Sequence, residues 1–200
     1  MVWTARKLPT GNIMNLFTQN KKEEKRGTNH RLNQVREMCI FAMLGAIMFC
    51  SKIVMEVLPN IHLLGVLTMV YTLAYRKKAL IPIYVYVFLN GLFAGFSLWW
   101  MPYLYVWTIL WGVTMLIPQG ISKKAAYVVY PIICCLHGLS FGILYAPAQA
   151  LLFNLNFEKM LAWIVSGFSF DIVHGIGNFL VGMLIVPLSE LLKKLKRMAV

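Results

Sequence analysis

Beyond residue 37 the chain consists of long apolar blocks separated by short polar or proline-containing turns, and no block keeps the period-two alternation of a half-buried strand. The blocks are longer than the roughly ten residues of a membrane β-strand, so an all-α fold is expected. The pattern predicts a first span over Met38–Leu58, ended by Pro59-Asn60, and a second from Ile61 to Tyr75, stopped by Arg76-Lys77-Lys78. A third follows over Ala79–Phe96, with Pro82 near its start, where a missing N–H costs little. Leu98-Trp99-Trp100-Met101-Pro102 then reads as an aromatic belt at an outer interface. The fourth span covers Tyr103–Ile117 and the fifth Ala125–Ala148. Residues 156–191 are too long for one crossing at about 1.5 Å per residue. A break is therefore expected at Gly167-Phe168-Ser169-Phe170, with Ser169 capping a sixth span over Phe170–Leu191 and a short interfacial helix over Phe157–Ser166.

This divides the chain into a polar leader (1–37, helical near Asn29–Glu37), a domain of six transmembrane helices (38–192) and a basic tail (193–200). The leader has no apolar stretch of the kind a cleavable signal peptide carries, so the first span is expected to serve as an uncleaved anchor. With 60% apolar and 13% charged residues, the composition excludes a disordered chain, a disulfide-stapled secreted module and a soluble nucleic-acid binder. The net charge of +12 agrees once its placement is considered. Of the 19 basic residues, 17 lie in the leader, in Arg76–Lys78, in Lys123-Lys124 and in the tail, and only Lys52 and Lys159 fall elsewhere. These clusters occupy the loops that a six-span arrangement places on one face, so both termini are expected in the cytoplasm of a multi-pass cell-membrane protein. Cys39, Cys50, Cys134 and Cys135 all sit in apolar stretches and read as small buried hydrophobes, without the spacing of a metal site.

Phe41-Ala42-Met43-Leu44-Gly45-Ala46 contains Ala-x-x-x-Ala, Leu58-Pro59-Asn60-Ile61-His62 joins the first two spans, and Phe170-Asp171-Ile172-Val173-His174-Gly175 opens the sixth. Together with the span count and orientation, these segments resemble the substrate-binding S components of energy-coupling factor (ECF) importers of vitamins and micronutrients, over residues 38–195. The resemblance implies a subunit that captures a small molecule from outside. It implies two kinds of partner, a transmembrane T protein and two cytoplasmic ATPases. The chain would use no cofactor of its own, ATP being consumed by the partner subunits. The family presents the small-residue face of its first helix to the T protein, which here would be Ala42, Gly45 and Ala46. Their spacing permits close helix approach, and packing inside the bundle would use them equally well.

Ionisable groups within hydrocarbon cost roughly 2.5–3.5 kcal/mol each on insertion scales, so each asks for a reason. Asp171, His174 and Asn178 stand at i, i+3 and i+7 on one side of a helix, together with Gly175 and Gly182. They are candidates for substrate contact or for a buried packing network. Lys52 and Glu56 are one turn apart and either pair with each other or leave Glu56 at the mouth of a pocket, beside Asn60 and His62. Asn90 and His137 are single polar residues within spans, and Trp107, among the aromatics of the fourth span, is placed to stack on a planar ring.

Two catalytic patterns occur in the sequence. Gly138-Leu139-Ser140-Phe141-Gly142 matches G-x-S-x-G but lacks a preceding strand. His174-x-x-x-Asn178 matches part of an intramembrane protease motif, but the adjacent glutamates such an enzyme needs occur only as Glu23-Glu24 in the leader. The expectation is therefore a binding subunit without catalysis or metal, with an intramembrane metalloprotease-like enzyme and a stand-alone secondary transporter as the alternatives.

Overall fold

A computed structural model describes residues 10–57 and 61–198, and among these the regular structure is entirely helical. The helices are α1 (Thr10–Val54), α2 (Leu64–Tyr75), α3 (Leu80–Ala94), α4 (Tyr103–Leu116), α5 (Lys123–Leu139), α6 (Phe141–Leu152), α7 (Phe157–Gly182) and α8 (Ile185–Met198). Short 3-10 turns cover Met55–Val57, Arg76–Ala79 and Leu98–Trp100. The helix expected near Asn29–Glu37 is therefore part of a longer one, and the predicted stop at Pro59-Asn60 lies outside the described residues. The chain divides after Ile40 into two compact units. In the first, the described side chains are mostly exposed, with local bonds such as Thr28 Oγ1 to Glu24 O at 2.9 Å. The second, from Phe41 onward, holds the helix bundle.

Among the described residues, four stretches are long and apolar enough to cross a membrane: Arg26–Val57, Leu64–Ala94, Lys123–Leu152 and Phe157–Gly182. The surface of the α7 stretch is inverted relative to a water-soluble bundle. Along α7 the buried residues are Asp171, His174, Gly175, Gly177, Asn178 and Gly182, whereas Phe170, Val173, Ile176, Phe179 and Leu180 are exposed. In α3, Tyr86, Asn90 and Gly91 are buried while Phe88, Leu92 and Phe93 face outward. Water would penalise such a face, and a lipid surround would not. The inner face of α7 holds small residues that admit close helix contact and polar residues that bond across it.

The structure relocates the break expected near Ser169. Helix α7 runs unbroken through Gly167–Phe170 as a 26-residue helix, about 39 Å long, begun by Asn156, whose Oδ1 accepts from the Lys159 N–H at 3.0 Å. No residue at 167–170 obliges a helix to end, because glycine and serine lower helix propensity without blocking it. The interruption falls instead at Met183-Leu184, four residues before Pro187, whose ring displaces the carbonyl at i−4 and removes a donor. The predicted span over Phe170–Leu191 is accordingly the end of α7 plus the start of α8.

The predicted fifth span is likewise interrupted, at Ser140, into α5 and α6. Ser140 N donates to Leu136 O at 3.0 Å and Leu144 N to Ser140 O at 2.9 Å, so helical bonding passes through the interruption. The Gly142 N–H is diverted to the Asp171 carboxylate of α7, both oxygens lying 3.1 Å away. A side chain inserted into the helical ladder is a recognised cause of a kink.

Candidate functional site

Helices α5 and α6 pack antiparallel along α7, and this contact places every polar residue singled out in α7. A Cβ at Gly142 would collide with Asp171 Oδ2, and one at Gly138 would stand 2.8 Å from Asn178 Nδ2. The two glycines of the G-x-S-x-G pattern are thus the seats for the Asp171 and Asn178 side chains. Ser140, between them, gives its hydroxyl to His137 O at 3.1 Å. Asp171 is only 6% exposed and caps the first turn of α6, where unpaired N–H groups attract a carboxylate.

Past Asp171 the interior becomes aromatic. His174 stands edge-on to Phe141 at 5.0 Å and to His62 at 4.7 Å between ring centroids. Phe141 meets Trp107 at 6.3 Å, and Trp107 meets His137 at 5.8 Å, Tyr103 at 6.0 Å and Tyr86 at 6.2 Å. Five helices and His62, two residues before α2, therefore supply one continuous chain of rings. Asn90 lies one turn from Tyr86 on the same buried face of α3, with no exposed surface at all.

Hydrogen bonding within this chain is incomplete. Buried polar atoms are almost always paired in folded proteins, so exceptions ask for an explanation. Both amide atoms of Asn90 lack a protein partner, as do Tyr86 OH, Trp107 Nε1, His137 Nδ1 and His62 Nδ1. Asn178 donates from Nδ2 to Cys134 O at 3.2 Å, while its Oδ1 is unpartnered. His137 Nε2 lies 3.2 Å from Val106 O. A carbonyl only accepts, so Nε2 carries the proton and Nδ1 is left as an acceptor. The interior thus offers free donors at Trp107, Asn90 and Tyr86 and free acceptors at Asn90, Asn178 and His137, with no cation among them.

Of the residues expected from the sequence, Asn90, Trp107, His174, Asn178 and His62 belong to this interior, and Asp171 borders it through the α6 cap. Glu56 does not join them: it is 64% exposed and pairs with Lys52 at 3.5 Å. Asn60 lies outside the described residues. The small residues of α1 are separated, since Gly45 is buried with its Cβ position 2.5 Å from Val85 Cγ1 of α3, whereas Ala42 and Ala46 are exposed. Tyr86 and Phe141 were not foreseen. Tyr86 could have been found from its i, i+4 spacing to Asn90, while Phe141 carries no comparable sign in the sequence. The four cysteines are free, and only Cys134 is fully buried. Among the described residues no group of three or more His, Cys, Asp or Glu is placed to hold a metal ion.

No family model matches the chain, and searches of curated proteins and of solved structures return no match.

Proposed function

We propose that this chain is a multi-pass membrane protein that binds a small, ring-containing, uncharged molecule among α3, α4, α5 and α7, and that it serves as the substrate-capture subunit of an ECF-type importer. The observation that carries the binding reading is the set of unpartnered donors and acceptors of Asn90, Trp107, His137 and Asn178 within an aromatic wall. A planar heterocycle with amide-like edges satisfies those atoms and stacks on those rings. A closed structural network would have paired them internally.

The importer reading rests on the resemblance of residues 38–195 and on two features consistent with it. Arg76, Lys193, Lys196 and Arg197 line one cavity and Lys123 pairs with Glu190 of α8 at 2.7 Å, so basic clusters from distant parts of the sequence gather at one end of the bundle. That end is the cytoplasmic one, with both termini on its side and six crossings between them. The exposed Ala42 and Ala46 leave a low surface on α1 where a T-protein helix can approach closely. The partner ATPases supply the energy, and this chain performs no reaction.

The test is native mass spectrometry of the purified protein, paired with the variant Asn90→Leu. A bound small molecule is expected on the wild type and absent from the variant. The ligand-free variant is expected to melt higher than ligand-free wild type, because unpaired buried amide atoms each cost about 1–3 kcal/mol. A variant that melts lower and still carries the molecule would place the site elsewhere.

A further inference from the structure

At the basic end of the bundle a cavity of about 760 Å³ is lined by Arg76, Gln119, Tyr130, Lys193, Lys196 and Arg197, together with Leu73 and Ala74. Four of these side chains are cationic and none is a carboxylate; Glu190, on the same helix as the lysines, is engaged by Lys123. Some of this charge has an internal use. Lys196 Nζ donates to Ala74 O at 3.0 Å and stands 4.8 Å over the Tyr75 ring, covering the last carbonyls of α2. Arg76 Nη2 donates to Met115 O at 3.0 Å near the end of α4.

The remainder has none. Arg76 Nη1 is buried and without a partner. Its backbone sits at φ 55°, a left-handed conformation unusual for arginine, and Trp111 Nε1 holds its carbonyl at 3.1 Å. The bond from Nη2 to Met115 O holds the guanidinium at the cavity rather than leaving it to swing into solvent. Arg197 donates its Nε–H to Lys193 O of its own helix at 3.4 Å, on the exposed side. A concave site with an anchored guanidinium, further lysines and no carboxylate among the described residues that line it is built for a multivalent oxyanion.

We propose that this cavity binds a phosphate-bearing anion at the cytoplasmic end of the bundle. A phosphate presents tetrahedral oxygens to an Arg fork and to separated Lys point charges at once, whereas a single carboxylate engages only the fork. The space exceeds one phosphate and accommodates its substituents. Such an anion has two sources, the headgroup of an anionic phospholipid or a free phosphate compound from the aqueous side. The site is remote from the aromatic interior and does not depend on what binds there.

The test uses the full chain in an uncharged detergent, with melting temperature followed during titration by short-chain phosphatidylglycerol, short-chain phosphatidylcholine and inorganic pyrophosphate. Arg76 is left intact because its bonds to α4 serve folding; the variant is Lys193→Ala with Arg197→Ala, both on the exposed side. Stabilisation by phosphatidylglycerol but not phosphatidylcholine identifies the headgroup source, and stabilisation by pyrophosphate alone identifies the soluble one. In either case the double variant should weaken the response on the order of tenfold or more, and added salt should weaken it further. No stabilisation by either anion would overturn the proposal, as would a response that the double variant leaves unchanged.

Discussion

Replacing Gly142 by alanine should destabilise the bundle, and removing Asp171 as well should undo most of the damage. In the native structure a single N–H at Gly142 is shared by both oxygens of a carboxylate that is 6% exposed, at 3.1 Å from each. A Cβ at residue 142 collides with Oδ2. The carboxylate must then swing away, losing a charge-assisted bond worth about 1.5–3 kcal/mol and leaving a buried charge without its donor. Asp171→Ala alone removes the same bond and strands the Gly142 N–H, at about 1–3 kcal/mol. For a chain of this size each single change should lower the melting temperature by roughly 2–4 °C per kcal/mol. In the double variant the collision is gone, the residue-142 N–H stands as it does in Asp171→Ala alone, and alanine gains about 1 kcal/mol of helix propensity over glycine. The double variant should therefore be more stable than either single one, with a coupling of about 2 kcal/mol, well beyond the additivity expected of independent sites. Thermal melts of the three purified variants in one detergent decide this. Additive losses would show that Asp171 does not set the interruption between α5 and α6.

Two further outcomes follow from the same geometry. On α1, Ala46→Trp should leave the melting temperature nearly unchanged and abolish copurification with a T protein, whereas Gly45→Leu, driven into Val85 and Pro82 O, should destabilise by about 1–3 kcal/mol; the reverse pattern would make Ala46 a packing residue. For topology, in a background with the exposed Cys39 and Cys50 replaced, a cysteine at Asn156 should react with an impermeant thiol reagent in intact cells and one at Lys124 should not; labelling at Lys124 would invert the orientation and with it the side from which the substrate enters.

How far the sequence alone reaches is visible in particular residues. The helical class, the division of the chain by basic clusters and the common face of Asp171, His174 and Asn178 were all legible, because helix periodicity and the cost of charge in hydrocarbon act locally. The α7 break was misplaced because glycine and serine only weaken a helix, while Pro187, a true obstacle, acts four residues upstream of itself. Glu56 looked like a candidate for the site because spacing shows that Lys52 can reach it but not that the pair lies exposed. The G-x-S-x-G glycines looked like a failed catalytic motif. Only the antiparallel packing of α5 and α6 on α7 reveals them as seats for Asn178 and Asp171, because a missing Cβ acquires meaning from whatever occupies its space.

The same division runs through the whole molecule. Sequence by itself determined the helical class, how apolar each segment is and where the positive charge accumulates, since these depend on neighbours within a turn or two. Tertiary structure alone decided that Asp171 caps α6 while Asn178 keeps a free carbonyl oxygen. It also brought Tyr86, Trp107, His137 and Phe141 into one aromatic wall and gathered Arg76 with the α8 cations around one cavity. Pairing, orphaning and enclosure are properties of atoms brought together across dozens of residues, and no local pattern encodes which partner each will meet.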